Sequence, residues 1–293
     1  MKINKALITA AGFGTRFLPV TKTIQKEMLP ILTKPTIDLL VDDCIRAGIT
    51  EFIIVVKEND TQISNYYSED LVLKRYLEGM KKLEKYDQVA NLHTKAKFTF
   101  VYQRESDLYG TSVPLLLSKE LLKDEKAFLV LMGDDFIYNK DGSSEIKRMI
   151  ETFNSSGAEG LITCVKVPKN LVNKYGIAEY NEVGGIKYLA NFAEKPEPAN
   201  ISSDLANLSK YIFTPEIFNC INVNEFDSKS GELYITDALI KLFKYKKVVI
   251  HEAIGEYLDT GYCAGWLKAN LILAKNNPEI WSELESFVKD LVL

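Results

Sequence analysis

The sequence has no excess of positive charge and no long apolar segment. Its 36 basic and 40 acidic residues give a net charge of −4, which leaves no electrostatic footprint for nucleic acid or anionic membranes. No apolar run approaches the roughly 20 residues that a transmembrane helix needs. The first residues, MKINKALITAAG, have the pattern of a strand rather than of a signal peptide. We therefore expect a cytoplasmic protein without a nucleic-acid or membrane partner.

Cysteine is also scarce, and its spacing excludes the paired clusters that bind zinc. The four residues lie far apart in apolar stretches, so we predict buried free thiols in a reducing compartment. They are Cys44, Cys164, Cys220 and Cys263. Neither of the two histidines lies in a pattern that suggests a catalytic role.

In the first half of the chain, strand-like and helical patterns alternate, which predicts a parallel sheet with helices on both faces. The predicted strands are Lys5–Ala10, Phe52–Val56, Phe98–Tyr102 and Ala127–Met132. The predicted helices are Thr36–Ala47, much of Ser64–Gln88, and Leu115–Leu122. We therefore expect an α/β protein with a Rossmann-like, doubly wound sheet.

The second half begins with strand-like segments that have no helices between them, which predicts an inserted, antiparallel or mixed β subregion. These segments are Gly160–Val167, Ile177–Tyr180, Ile186–Ala190 and Leu205–Phe213. Helical patterns return at Glu232–Phe243 and from Tyr262 to the end, with a break near Pro278. No linker, repeat or low-complexity segment interrupts the chain. We expect one domain over residues 1–293, with a core at 1–262 and a helical tail at 263–293.

The segment AAGFGTRFLPVTKTIQKEMLPILTKP, which follows the first strand, has the chemistry of an anion site. Ala11, Gly12 and Gly14 lack bulky side chains, so backbone N–H groups can approach a triphosphate closely. Thr15 adds a hydroxyl group. Arg16 adds a planar guanidinium that binds phosphate oxygens in bidentate fashion. The alternative is a glycine turn with solvated basic side chains.

Two better-known phosphate motifs do not fit this segment. A dinucleotide-binding G-x-G-x-x-G needs glycine where Phe17 stands, and the Gly-Lys-Ser/Thr of a P-loop is absent. Lys26, ten residues after Arg16, offers a second cation for charge that develops at a reacting phosphate. The segment therefore favours a phosphate site outside these two classes, and a dehydrogenase is disfavoured.

The pattern G-x-G-T-R-x-x-P-x-T-K, followed by K-E-M-L-P and K-P, resembles the sugar-1-phosphate nucleotidyltransferases. Within them it resembles the bacterial UTP–glucose-1-phosphate uridylyltransferases, and it implies a fold of the nucleotide-diphospho-sugar transferase type. It also implies that the glycine loop and Glu27 contact the nucleotide, while Arg16 and Lys26 stabilise the reacting phosphates. Gln25 departs from the pattern, because the family usually has Pro at this position. We expect the change to loosen the turn and to leave the chemistry intact.

Acidic residues follow two apolar runs that lie far apart in the chain. Asp134 and Asp135 end AFLVLMGDD, and Asp259 lies in GEYLDTG. Strand ends of this kind face the ligand crevice of a doubly wound sheet, and carboxylates are ligands that Mg²⁺ prefers. The alternative is that these acids cap helices or lie in turns without binding a metal. The resemblance implies that Asp134 and Asp259 jointly hold Mg²⁺ and that Asp135 makes a supporting contact at the sugar phosphate.

The remaining site residues rest mainly on the resemblance. Glu194 and Lys195 in FAEKPEP, with Gly176 in KYGIAEY, match the sugar-phosphate segments, although Glu-Lys-Pro alone is typical of an exposed turn. Gln103 and Gly110 match the positions that contact uracil, although YGTS replaces the family's L-G-x-A. The acids of GELYITDAL are interpreted as capping residues at a helix start.

These patterns lead to one principal function and two alternatives. We expect transfer of a uridylyl group from UTP to glucose 1-phosphate by Mg²⁺-assisted in-line displacement, giving UDP-glucose and pyrophosphate. One alternative is the same chemistry with another nucleotide or sugar phosphate, such as dTTP. The other is a non-catalytic paralogue that binds a nucleotide sugar. The resemblance also implies a homo-oligomer, either a dimer or a tetramer.

Overall fold

A computed structural model describes residues 1–228 and 230–291; Val292 and Leu293 of the predicted tail lie outside this range. The strands are β1 (Lys5–Ala10), β2 (Pro30–Ile31), β3 (Lys34–Pro35), β4 (Glu51–Lys57), β5 (Lys97–Gln103), β6 (Phe128–Met132), β7 (Asp135–Tyr138), β8 (Gly160–Lys166), β9 (Gly176–Val183), β10 (Ile186–Glu194), β11 (Leu205–Phe213), β12 (Val248–Glu252) and β13 (Glu256–Asp259). The helices are α1 (Thr36–Arg46), α2 (Gln62–Tyr66), α3 (Leu71–Gly79), α4 (Asp87–Ala90), α5 (Val113–Leu117), α6 (Lys119–Leu122), α7 (Glu145–Ser156), α8 (Ile235–Phe243), α9 (Cys263–Lys275) and α10 (Pro278–Leu291).

One mixed sheet organises the molecule, with the strand order β5-β4-β1-β6-β11-β8-β12-β10-β9. The first four strands are mutually parallel. β11 then runs antiparallel to both of its neighbours, β6 and β8, and so joins the strand-rich second half to the parallel half. The predicted α/β class and doubly wound mixed sheet are confirmed, and the β subregion continues the same sheet. The division into a core and a tail stays a prediction.

Both faces of the central strands are covered, which explains their almost continuous apolar sequences. Successive residues alternate between two cores: Leu7 packs on the face covered by α5 and α8, and Ile8 on the face covered by α1 and α7. Ile53 and Ile54 of β4 divide in the same way. With both faces filled by packed side chains, the carboxyl-terminal edge of the parallel strands is left for a ligand.

The structure corrects two expectations. The helical region predicted over Ser64–Gln88 is divided into short helices, because the Asp70 carboxylate accepts hydrogen bonds from the N–H groups of Val72 and Leu73 and starts a new helix there. Three cysteines are buried as predicted, but the prediction for Cys263 was wrong. It is the first residue of α9 and is exposed. No helix within the described residues is long and apolar enough to cross a bilayer.

Candidate active site

The site lies where β1 and β6 end side by side, since these parallel neighbours bring their carboxyl ends to one edge of the sheet. The glycine loop leaves β1, and Asp134 follows β6. A small second sheet completes the edge, because β7 and β13 pair antiparallel and set Asp259 opposite Asp135. Residues from both ends of the sequence therefore meet at one place.

The glycine loop folds back over Lys26. Gly14 has φ +63°, a left-handed conformation that glycine adopts without strain, and its carbonyl accepts a hydrogen bond of 2.7 Å from the Thr21 hydroxyl. A Cβ on Gly12 would lie only 3.4 and 3.5 Å from the last two side-chain atoms of Lys26. Ala11 and Gly12 line a cavity of about 170 Å³ together with Lys26. The exposed Thr15 begins the turn that carries Arg16.

Lys26 is a mostly buried cation between two carboxylates. Its Nζ lies 2.6 Å from Asp134 Oδ2 and 3.7 Å from Glu27 Oε1. Burial works against its charge, but the attraction of Asp134 and Glu27 raises its pKa above the ordinary value. Burial would likewise raise the pKa of Asp134, yet the Lys26 ammonium holds that pKa below its usual range. Both groups of the pair are therefore charged.

Glu27 is the second acid beside Lys26 and is almost completely buried, with an exposed fraction of 1%. Burial raises the pKa of Glu27 to about 7, although the Lys26 ammonium opposes the shift. Its Oε2 has no hydrogen-bond partner within the described chain, and the residue lines the same cavity as Lys26. Its contact with a nucleotide stays a prediction.

The residues at Gly261 fit a divalent cation. A Cβ on this glycine would lie 2.6 Å from Asp134 Oδ2, 3.1 Å from Asp259 Oδ1 and 3.5 Å from a guanidinium nitrogen of Arg16. The missing side chain therefore leaves a space where two hard oxygen donors meet. Neighbouring residues hold the two acids in place, because the Gly261 N–H donates to Asp259 Oδ1 at 2.9 Å and the Thr260 hydroxyl donates to the main-chain carbonyl of Asp134 at 2.7 Å.

Two carboxylates suit an ion such as Mg²⁺, which usually takes one or two carboxylates and completes its shell with phosphates and water. Within residues 1–228 and 230–291, no group of three or more acidic, histidine or cysteine side chains is arranged to hold a metal. The remaining ligands therefore have to come from substrate and solvent.

Asp135, the next residue after Asp134, is buried and bound to other protein groups. It forms a buried ion pair with Lys210, and its Oδ2 accepts a hydrogen bond of 2.9 Å from the Tyr257 hydroxyl. Burial raises the pKa of Asp135 to about 6 although Lys210 opposes the shift. Both carboxylate oxygens are thus engaged by protein groups. A sugar phosphate in direct contact with Asp135 would have to displace Lys210 or Tyr257. The geometry therefore does not support the predicted contact between Asp135 and the sugar phosphate.

The predicted sugar residues line a second cavity, of about 690 Å³, which Asp259 also borders. Gly176 is required there, because a Cβ would come within 2.5 Å of the Phe192 ring and 2.9 Å of Glu194 Oε2. Burial raises the pKa of Glu194, with the neighbouring Lys195 opposing the shift. The structure thus brings Gly176, Glu194 and Lys195 together with a metal-ligand candidate.

The predicted base contacts also lie at the smaller cavity. Gln103 ends β5 and lines it, and the Gln103 side-chain amide donates to the Leu108 carbonyl at 3.1 Å. Gly110 lines it too, with φ +124°. The backbone nitrogen and oxygen of Leu233 occupy the place where its Cβ would be. Chain packing therefore requires glycine at this position, independently of any approach by a base.

Two acids interpreted as capping residues line these cavities instead. Glu232 lies before α8 and borders the smaller cavity, whereas Asp237, in the first turn of α8, borders the larger one. The N-cap of this helix is Tyr234, which makes no side-chain capping bond. The capping interpretation was wrong for Glu232. No local pattern marks either acid as a cavity residue, since both lie among apolar residues at the start of a helix.

The two cavities adjoin, since Thr111 and Met132 line both. Asp134 borders the smaller cavity and Asp259 the larger one, so the carboxylate pair stands at their boundary. An anionic ligand in either cavity meets a cation, Lys26 in one and Lys195 in the other. This arrangement suits two phosphorylated ligands that react across a shared cation.

Comparison with known proteins agrees with this geometry. The family model described as nucleotidyl transferase matches residues 5–276. The UTP–glucose-1-phosphate uridylyltransferase of Staphylococcus epidermidis is 32% identical over 291 residues, covering 99% of each chain. That of Mycoplasma genitalium is 34% identical over 283 residues, covering 95% of this chain and 94% of its own. The solved structure of UTP-bound UGPase from Acinetobacter baumannii has a TM-score of 0.86 at 28% identity, covering 99% of this chain and 100% of its own.

Proposed function

Because this chain belongs to the nucleotidyl transferase family, we propose that it transfers the uridylyl group of UTP to glucose 1-phosphate and forms UDP-glucose and pyrophosphate. The observation that carries the proposal is the meeting of Asp134, Asp259 and Arg16 around Gly261, at the boundary of the two cavities. The two uridylyltransferases compared above support the choice of substrates, because their names state this reaction.

The reaction is an in-line displacement at phosphorus. An oxygen of the sugar phosphate attacks the α-phosphorus of UTP, a new P–O bond forms, and the bond to the pyrophosphate breaks. Both reactants are anions, so the protein has to position them and neutralise their charge. Lys26 acts on the reacting phosphates, Arg16 on the leaving β- and γ-phosphates, and Lys195 on the sugar phosphate.

Nucleotidyltransferases of this kind generally use a divalent metal, and we propose Mg²⁺ held by Asp134 and Asp259. An ion held there would supply positive charge to the phosphate oxygens of the bound substrates. Lys26 stays beside Asp134 and continues to neutralise the triphosphate. Asp135, paired with Lys210, fixes the start of β7 directly after Asp134.

The remaining assignments complete the proposal. Backbone amides of the glycine loop and the Thr15 hydroxyl bind phosphate oxygens, while Glu27, Gln103 and Gly110 border the nucleoside. Gly176 and Glu194 contact the sugar. We assign the whole chain to a single domain that acts in the cytoplasm as a homo-oligomer.

A substrate panel tests the function. The purified protein is given UTP, dTTP, CTP, GTP or ATP with glucose 1-phosphate or galactose 1-phosphate, with and without Mg²⁺, and pyrophosphate release is measured. We expect the fastest release from UTP with glucose 1-phosphate, and none without a divalent cation. A preference for dTTP would instead indicate the same chemistry with a thymidine nucleotide. Binding of UDP-glucose without pyrophosphate release, in the presence of Mg²⁺, would overturn catalysis.

A further inference from the structure

Gln25, which stands where the resembling family usually has Pro, does not loosen its turn. Its φ of −60° is one that Pro itself adopts, so the backbone path is compatible with either residue. Its side chain is buried, with an exposed fraction of 3%. Hydrogen bonds that a prolyl residue cannot make hold this turn.

A single side-chain amide on α2 bridges the turn. Gln62 Oε1 accepts a hydrogen bond of 3.2 Å from the Gln25 N–H, and Gln62 Nε2 donates one of 2.7 Å to the Thr23 carbonyl. On its other side, Gln25 Nε2 donates to the Ala10 carbonyl at 3.4 Å. Because Ala10 is the last residue of β1, the turn is tied both to α2 and to the root of the glycine loop.

Gln62 is itself held in place. It is the first residue of α2, and its N–H donates to Asp60 Oδ1 at 3.1 Å. The next residue, Ile63, has an exposed fraction of 1% and packs in the core beneath the sheet. These contacts fix the position of α2. The side chain of its first residue, Gln62, reaches a turn that ends one residue before Lys26.

We propose that Gln62 is a positioning residue that holds Lys26 in register with the glycine loop and Asp134, so that α2 forms part of the triphosphate site. This inference rests on the proposed function. Loss of the two bridging hydrogen bonds lets the turn shift. A small displacement of a group that stabilises charge slows the reaction. Pro has no N–H that could donate to Gln62 Oε1, so this hydrogen bond depends on the replacement of Pro by Gln25. The two glutamines therefore act together.

Gln62→Ala tests the bridge, with Asn65→Ala as a matched control because Asn65 is an exposed side chain on the same helix. In Gln62→Ala we expect faster hydrogen exchange at the Gln25 amide, weaker UTP binding in calorimetry, and a kcat about tenfold lower. The KM for glucose 1-phosphate stays within about twofold, because the larger cavity is untouched. Wild-type exchange and wild-type kcat in Gln62→Ala would overturn the proposal, as would equal losses in Asn65→Ala.

A double-mutant cycle separates a specific bridge from general loosening. Gln25→Ala keeps the backbone N–H, so adding Gln62→Ala should lower kcat there by the same factor as in the wild type. Gln25→Pro removes the N–H, so adding Gln62→Ala should lower kcat by a smaller factor. The same factor in all three backgrounds would exclude coupling between the two residues.

Failure of the proposed function gives a different result. A wild-type protein that releases no pyrophosphate from any substrate pair disproves the function. The bridge is then judged from Gln25 amide exchange and UTP affinity alone. If both are unchanged in Gln62→Ala, the positioning role is disproved as well.

Discussion

The ammonium of Lys26 lies 2.6 Å from Asp134 Oδ2, although 108 positions separate the two residues in sequence. The contact joins the turn after the glycine loop to the end of β6. Each charge stabilises the other, as the raised pKa of Lys26 and the lowered pKa of Asp134 indicate. The protein therefore keeps both a cation for phosphate and an ionised oxygen donor at the boundary of its two cavities.

Lys26→Ala should reduce kcat/KM for UTP by about a hundredfold, or about 3 kcal/mol, as expected for removal of one preorganised charge-stabilising group. Pyrophosphate release at saturating glucose 1-phosphate measures the loss. Lys22→Ala is the matched control, because Lys22 is an exposed lysine of the same loop. Nearly full turnover in Lys26→Ala would remove this residue from the mechanism.

Asp134→Asn and Asp259→Asn should each lower kcat on the order of a hundredfold and raise the Mg²⁺ concentration needed for half-maximal rate. Because we propose that both carboxylates hold one ion, we expect the double variant to be little worse than the more impaired single variant. Titration of pyrophosphate release against Mg²⁺ gives both quantities. Asp124→Asn, at an exposed acid, should behave as wild type. An unaltered Mg²⁺ dependence in either single variant would argue against a shared ion.

Gly176→Ala should raise the KM for glucose 1-phosphate by about tenfold while the KM for UTP stays the same. The added methyl group meets the Phe192 ring and Glu194 Oε2, and so displaces the carboxylate that we propose to contact the sugar. Steady-state kinetics with each substrate varied in turn measure the two constants. Gly79→Ala is the control, since a Cβ there meets nothing within 4 Å. Equal rises in both KM values would indicate general damage to the fold.

Glu145, the first residue of α7, is a buried acid away from the site. Burial alone would raise its pKa, but hydrogen bonds from His251, Arg148 and the N–H groups of Gly255 and Ile254 lower it. A depressed folded-state pKa gives stability that is complete above the ordinary value of 4.5 and is lost as pH falls below it. This acid therefore fixes the connection between β12 and β13, and with it the strand that carries Asp259.

Glu145→Gln should lower the free energy of unfolding at about pH 7 by about 2 kcal/mol, because the buried hydrogen bonds are then made to a neutral amide instead of a charged carboxylate. The difference from wild type should shrink as pH falls below 4.5, where the wild type begins to lose the same contribution. Urea unfolding at a series of pH values measures it. Glu151→Gln on the exposed side of the same helix should change little. A difference that grows on acidification would contradict the sign of the shift.

Short-range patterns predicted much of the fold correctly. The β1 and β11 bounds match the predicted segments, and most residues of both strands are buried. The predicted helix over Thr36–Ala47 ends one residue earlier, at Arg46. β7 was missed because it follows β6 after only two residues and reads as part of the same stretch. β13 was missed because it gains its partner, β7, only in the folded chain.

In the site too, some features were predictable from local sequence and others were not. Residue type alone predicted an anion loop at Gly12 and Gly14. The meeting of Asp134 with Asp259 followed only from the family resemblance, since no local pattern encodes contact across that distance. The reason for Gly110 was incomplete, because the approach of Leu233 is a tertiary contact. The expected effect of Gln25 was wrong for a related reason: its partner, Gln62, lies before the helical region predicted at Ser64–Gln88, and no local pattern encodes their contact.

The antiparallel pairing of β7 with β13 has a consequence for biosynthesis. A chain emerging from the ribosome exposes its phosphate loop early and Asp134 midway, but the strand that brings Asp259 appears only near the end of translation. Until then Asp134 has its basic neighbour Lys26 but not the second carboxylate. The pair of carboxylates at Gly261 is therefore assembled only when synthesis is almost complete.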